Sequence, residues 1–125
     1  MRFTCVLLFI LFIISGPARS SNDILDQFPN VHRATIFYTH CLLNQAQQYE
    51  IKQSDHKLSA KAFTKEMHKT VSKICENDRK ALFAFLQTEE VPAQIALSVL
   101  SMMRISERSI INSMGDWFYK SYINN

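Results

Sequence analysis

Apolar residues recur along most of this chain at spacings of three and four, the period that gathers them on one side of an α-helix. Over residues 30–49 the stripe carries Ala34, Phe37, Tyr38, Cys41, Leu42 and Tyr49. Ile36 and Leu43 widen it, and only Arg33, His40, Asn44 and Gln47 form a clear polar strip. A helix this apolar is expected at the centre of its fold. A capped turn through Phe28 precedes it, and residues 52–56 read as the connection that follows. The next helix starts near Leu58 or Ser59 and turns Ala60, Phe63, Met67, Val71, Ile74 and Cys75 inward. Asn77 and Asp78 stand where that helix either breaks or runs on. Residues 81–86 are apolar on every side and should be buried.

Pro92 suits the first position of a helix over residues 92–103, whose polar strip is only Gln94, Ser98 and Ser101. A last helix, over residues 106–122, is expected to bury Ile110, Ile111, Met114, Trp117, Phe118 and Tyr122. Turn residues are scarce. Beyond residue 20 the chain keeps one glycine, Gly115, and two prolines, Pro29 and Pro92. Hairpins and sandwiches need many more, so the pattern predicts an all-α fold, a small bundle of four to five helices. With no internal repeat and no linker, residues 21–125 read as a single helical domain.

The first 20 residues follow a different pattern. Arg2 precedes ten apolar residues, Cys5 to Ile14. Ser15, Gly16 and Pro17 break the run, and Ala18 and Ser20 supply the small residues of a cleavage site before Ser21. That order is a secretory signal peptide, too short to span a bilayer. It implies an extracellular protein of 105 residues without a transmembrane anchor. Cys5 leaves with the leader, so Cys41 and Cys75 form an even pair in an oxidising compartment, and an interhelical disulfide is expected. The net charge of +3 drops to about +1 once Arg2 and Arg19 are removed, unlike the strongly basic balance of a nucleic-acid binder.

One local pattern carries candidate chemistry. Lys57, Lys61, Lys65, Lys69 and Lys73 stand four apart, a ladder over the helix side opposite Phe63, Met67 and Ile74. Such a face suits anionic lipid, sulfated glycan or an acidic protein surface. The four histidines, His32, His40, His56 and His68, have no metal-ligand spacing, so no metal site is expected. No nucleophile-elbow motif and no phosphate-cradling glycine loop appears, and neither an enzyme nor a cofactor is expected. These features describe a secreted binding or signalling-type protein that acts through a protein or anionic surface partner. The alternative is a carrier holding a small hydrophobic ligand, lipid or odorant-like, among Phe37, Phe63, Phe85, Leu100 and Trp117.

Overall fold

The computed structural model describes residues 26–124, and residues 1–20, where the cleavable leader is expected, lie outside them. Four α-helices follow in order: α1 Pro29–Gln47, α2 Ala60–Ile74, α3 Glu76–Thr88 and α4 Ala93–Phe118. A 3₁₀ turn, Gln53–Lys57, precedes α2, and a π-helical turn, Tyr119–Ile123, closes the chain. The described residues hold no strand, in keeping with the all-α expectation.

Helix α1 is the central element, packed against all three other helices. Its buried stripe is Val31, Ala34, Tyr38, Leu42 and Ala46, a spacing of three and four that keeps one side inward for its whole length. Phe37 lies outside this stripe and is 57% exposed, where the sequence placed it within. Pro29 opens the helix, where its missing N–H would have had no intrahelical acceptor. The Asn30 N–H donates to Glu89 Oε1 at 3.0 Å, so a carboxylate from the far end of α3 caps the positive end of α1.

Helix α2 begins at Ser59, whose Oγ accepts the Ala62 N–H at 3.2 Å. Phe63, Met67 and Val71 are fully buried along it. Cys75 ends α2 and starts α3 in one residue, so the chain turns there without a loop and Asn77 and Asp78 belong to α3. Cys75 bonds to Cys41 of α1 across a Cα–Cα distance of 5.8 Å. Closing a loop of 34 residues stabilises the fold by about 3–4 kcal/mol in the chain-entropy account. Helix α3 ends in a left-handed residue, Glu90 at φ 53°, which lets the Val91 N–H reach back to the Leu86 carbonyl at 3.2 Å.

Two expectations about the second half of the chain need correction. The last two predicted helices are one helix of 26 residues, because nothing between Met103 and Ser106 breaks it. Enclosure is also partial. Only Leu82 and Leu86 of residues 81–86 are buried, while Phe83 and Phe85 face outward. Leu97, Met102 and Ile105 lie on the open side of α4, and Leu97 is 68% exposed. The cause is architectural: α4 packs chiefly against α1 and α2, and these residues point away from both.

The apolar interior divides in two. A larger cluster holds Tyr38, Leu42, Ala46, Phe63, Met67, Val71, Cys75, Ile111 and Phe118. A smaller one holds Val31, Ala34, Leu82, Leu86 and Val99, and Met103 packs against both. Tyr49 meets Phe63 edge-on at 5.7 Å, and Tyr119 packs on Phe63 at 6.2 Å. The Tyr119 hydroxyl donates to the Leu58 carbonyl at 3.3 Å, which ties the C-terminal turn to the start of α2.

Candidate functional site

The sequence fixes which way α2 faces. Once Phe63, Met67 and Val71 are buried, a period of 3.6 residues forces Lys61, Lys65, Lys69 and Lys73 to the outside, and all four are exposed. Lys57 is exposed too, but it sits in the 3₁₀ turn, separated from α2 by the extended residues Leu58 and Ser59. On the regular helical row the ladder therefore has four members. Arg79 and Lys80 do not continue it. They belong to α3 and pair with Glu76 at 4.0 and 3.5 Å.

None of the four ion pairs among the described residues uses a ladder lysine. Lys120, by contrast, pairs with Asp116 at 3.1 Å. Charge is also unevenly placed along the chain. Residues 52–80 carry eight Lys and Arg against four Asp and Glu, whereas the rest of the described chain carries four against six. A near-neutral protein thus has one distinctly positive segment, and its outermost charges are not neutralised by neighbours.

On the flank of α2 that meets α4 lies a polar cluster that the sequence did not announce. Glu107 of α4 accepts the Ser72 hydroxyl at 2.8 Å and stands 3.0 Å from His68 Nε2, both contacts on Oε1. The Tyr38 phenol, from α1, lies beside the same carboxylate and interacts with it. Burial works to raise the Glu107 pKa, but hydrogen bonds from Ser72, His68 and Tyr38 outweigh it and leave the group lowered. Burial, with the Glu107 charge adding to it, pushes the Tyr38 phenol up to about 12. Arg79 of α3 pulls the other way on Tyr38. Three helices, α1, α2 and α4, thus meet at one carboxylate. Its partners stand 35 and 39 residues away, which is why no local motif marked it. One signal was present: Glu107 is the only acid between Glu90 and Asp116.

Serine, histidine and a carboxylate in one place invite comparison with a nucleophilic triad. The connectivity differs. A triad sets histidine between serine and acid so that the imidazole can take the hydroxyl proton. Here the carboxylate stands in the middle and binds both, and the Ser72 hydroxyl donates to Glu107. The arrangement fits an interhelical lock better than an activated nucleophile. His32, His40 and His56 lie apart from it, and among the described residues no group of three or more His, Cys, Asp or Glu is placed to hold a metal ion.

The five apolar residues considered for a ligand pocket lie in four places. Phe63 is in the larger core cluster and Leu100 packs against the smaller one. Trp117 is 51% exposed and stacks edge-on with Phe118 and Tyr122. Phe37 and Phe85 do come together, across a recess between α1 and α3 that also involves Arg33 and Asp78. Its volume of about 150 Å³ is small beside the ~300–1,000 Å³ of most small-molecule sites. A wider depression of about 550 Å³ beside it is open to solvent and mixed in lining, with His40, Asn44 and Gln47 beside Phe37 and Leu43.

No helix among the described residues is long and apolar enough to cross a membrane. Compared with known proteins, the chain matches no family model, no curated sequence and no solved structure.

Proposed function

We propose that this chain is a secreted, non-enzymatic binding protein, released by removal of residues 1–20, whose contact surface is the cationic outer face of α2. The reading rests above all on the four exposed lysines of one helix that share no ion pair with the rest of the described protein. Like charges four apart on a helix each cost about 0.2–0.5 kcal/mol. A chain selected for stability alone gains nothing from three such pairs in a row. An anionic partner would turn that cost into attraction. The disulfide and the leader pattern suit an oxidising, extracellular setting.

The test uses the chain expressed with residues 1–20 in place. The product should appear in the medium, begin at Ser21 by intact mass and contain no free thiol. It should be retained on anionic supports, sulfated or phospholipid, in a salt-dependent way. Replacing Lys61, Lys65 and Lys69 together by Gln should cut that retention at least fivefold while helical circular dichroism stays unchanged. Equal retention of the variant on every support would remove the α2 face from the proposal.

A further inference from the structure

The proposed contact face leaves open what kind of anion it meets, and its geometry narrows the choice. Successive ladder lysines rise about 6 Å and turn about 40° around α2, so from Lys61 to Lys73 the strip runs about 18 Å and winds through about 120°. A plane laid against the middle of such a strip meets Lys65 and Lys69 squarely and leaves Lys61 and Lys73 on receding sides. A chain that can bend follows all four. Membrane-seated helices also bury an apolar face in the acyl region. The apolar face of α2 is already spent on the core, since Phe63, Met67 and Val71 are fully buried.

The chemistry of the strip narrows it further. Its exposed residues are lysines with Glu66 among them and His68, held by Glu107, at one edge, and it carries no Phe, Tyr, Trp or Arg. Single-stranded nucleic acids are held by stacking their bases on aromatic platforms, which this face lacks. Lysine offers a mobile point charge, without the planar fork that reads a particular phosphate or carboxylate geometry. Such a surface responds to closely spaced negative charge along a flexible polymer. Taking the α2 face as the contact surface, we propose that its ligand is a linear sulfated glycan chain laid along the helix over Lys61, Lys65, Lys69 and Lys73.

The experiment titrates the secreted chain with a short heparin oligosaccharide, the same oligosaccharide desulfated, and vesicles of phosphatidylserine with phosphatidylcholine. The sulfated oligosaccharide should bind, and the other two should bind at least tenfold more weakly. Each of Lys61→Gln, Lys65→Gln, Lys69→Gln and Lys73→Gln should lower affinity by a similar factor, about two- to fivefold. Each should also make the dependence of affinity on salt shallower, since one fewer counterion is released. Circular dichroism confirms that the variants fold. If only Lys65 and Lys69 matter, the contact is flat and the glycan proposal falls. It falls also if the desulfated chain binds as well as the sulfated one. Vesicles bound more tightly than glycan, with that binding weakened by the same four lysine variants, would make the partner a membrane and leave the α2 face as the contact surface. Failure of the wild-type chain to bind either probe would bring down the glycan and the α2 face together.

Discussion

The two ends of the interior are built differently. The larger cluster gathers nine buried residues from α1, α2 and α4, among them Phe63, Met67 and Phe118, and the disulfide lies within it. The smaller gathers five, four of them aliphatic side chains and one an alanine, and no covalent link crosses it. Their surfaces differ as well. Helix α2, over the larger cluster, puts Phe63, Met67 and Val71 inside and offers a charged exterior. Helix α3 and the first half of α4, over the smaller, leave Phe83, Phe85, Leu97 and Met102 outside. The lesson is that burial follows the number of neighbours a helix has. α2 has few apolar residues to place and encloses Phe63, Met67 and Val71, whereas α4 carries more than its one covered side can take.

The largest effect expected from this contrast lies in the cores themselves. Phe63→Ala removes a fully buried ring that packs against Tyr49 and Tyr119, and should cost about 3–5 kcal/mol. Leu82→Ala in the smaller cluster should cost nearer ~2 kcal/mol, because exposed neighbours on α3 can settle into the space. Chemical denaturation of both variants with the disulfide intact gives the comparison. An equal or larger loss at Leu82 would mean that the two ends are one cooperative core, divided only in appearance.

How much of this was legible beforehand varies helix by helix. α2 could be read in detail: Ser59 at its start, Phe63, Met67, Val71 and Cys75 inside, lysines outside. An amphipathic stripe of clear period leaves one choice of face. Ala60 and Ile74, at the two ends of the helix, are exposed where the stripe placed them inside. The pairing of Cys41 with Cys75 followed from counting. α4 was read as two helices because Arg104 and Ser106 interrupt its apolar run, yet neither residue breaks a helix. Its exposed side, and that of α3, could not be seen, because a segment apolar all round gives no sign of which face is covered. Trp117 was misplaced for another reason: it stands at the edge of an amphipathic stretch's apolar side, half-exposed next to the buried Phe118. The Glu107 cluster was invisible because it exists only once α1, α2 and α4 have met. Of the candidate contact face, four of five lysines could be placed from the spacing alone, and Lys57 could not, because the end of the 3₁₀ turn is a matter of one residue.

The Glu107 cluster ties α4 to α1 and α2 beside the larger core, and it gives the intermediate effect. The Glu107 carboxyl titrates below its ordinary 4.5 in the folded state, so the stability it contributes is present above that value and is lost as pH falls through the lowered one. Tyr38, raised to about 12 from 10.0, contributes stability that is present below pH 10 and is lost as pH climbs from there toward 12. The groups facing this carboxylate are Tyr38 on α1, His68 and Ser72 on α2, and, acting on Tyr38, Arg79 on α3. Glu107→Gln keeps an acceptor but gives up the charge-assisted bonds, and should cost about 1–2 kcal/mol at neutral pH. Denaturation midpoints measured down to pH 3 should fall less steeply for the variant than for the wild type. Parallel acid limbs would show that other carboxylates govern acid unfolding.

The smallest effect bears on the charged exterior, and its sign carries the information. Lys65 has Lys61 and Lys69 at four residues to either side, and Ala62 and His68 at three, so no acid lies within helical reach of it. Removing its charge relieves two repulsions of about 0.2–0.5 kcal/mol each. The side chain is exposed, and its replacement by Gln keeps much of the stem and a similar helix propensity. Lys65→Gln should therefore stabilise the protein by about 0.4–1 kcal/mol at low salt, where most surface substitutions change little, and the gain should shrink as salt screens the row. Thermal melting in low and high salt measures both parts. A variant that loses stability would mean the lysine stem packs on the helix surface and serves the fold. A gain that fades with salt would mean the row opposes folding slightly in the free protein. The proposed anionic partner would then account for its placement, and the outer face of α2 would differ in this from the merely uncovered face of α4.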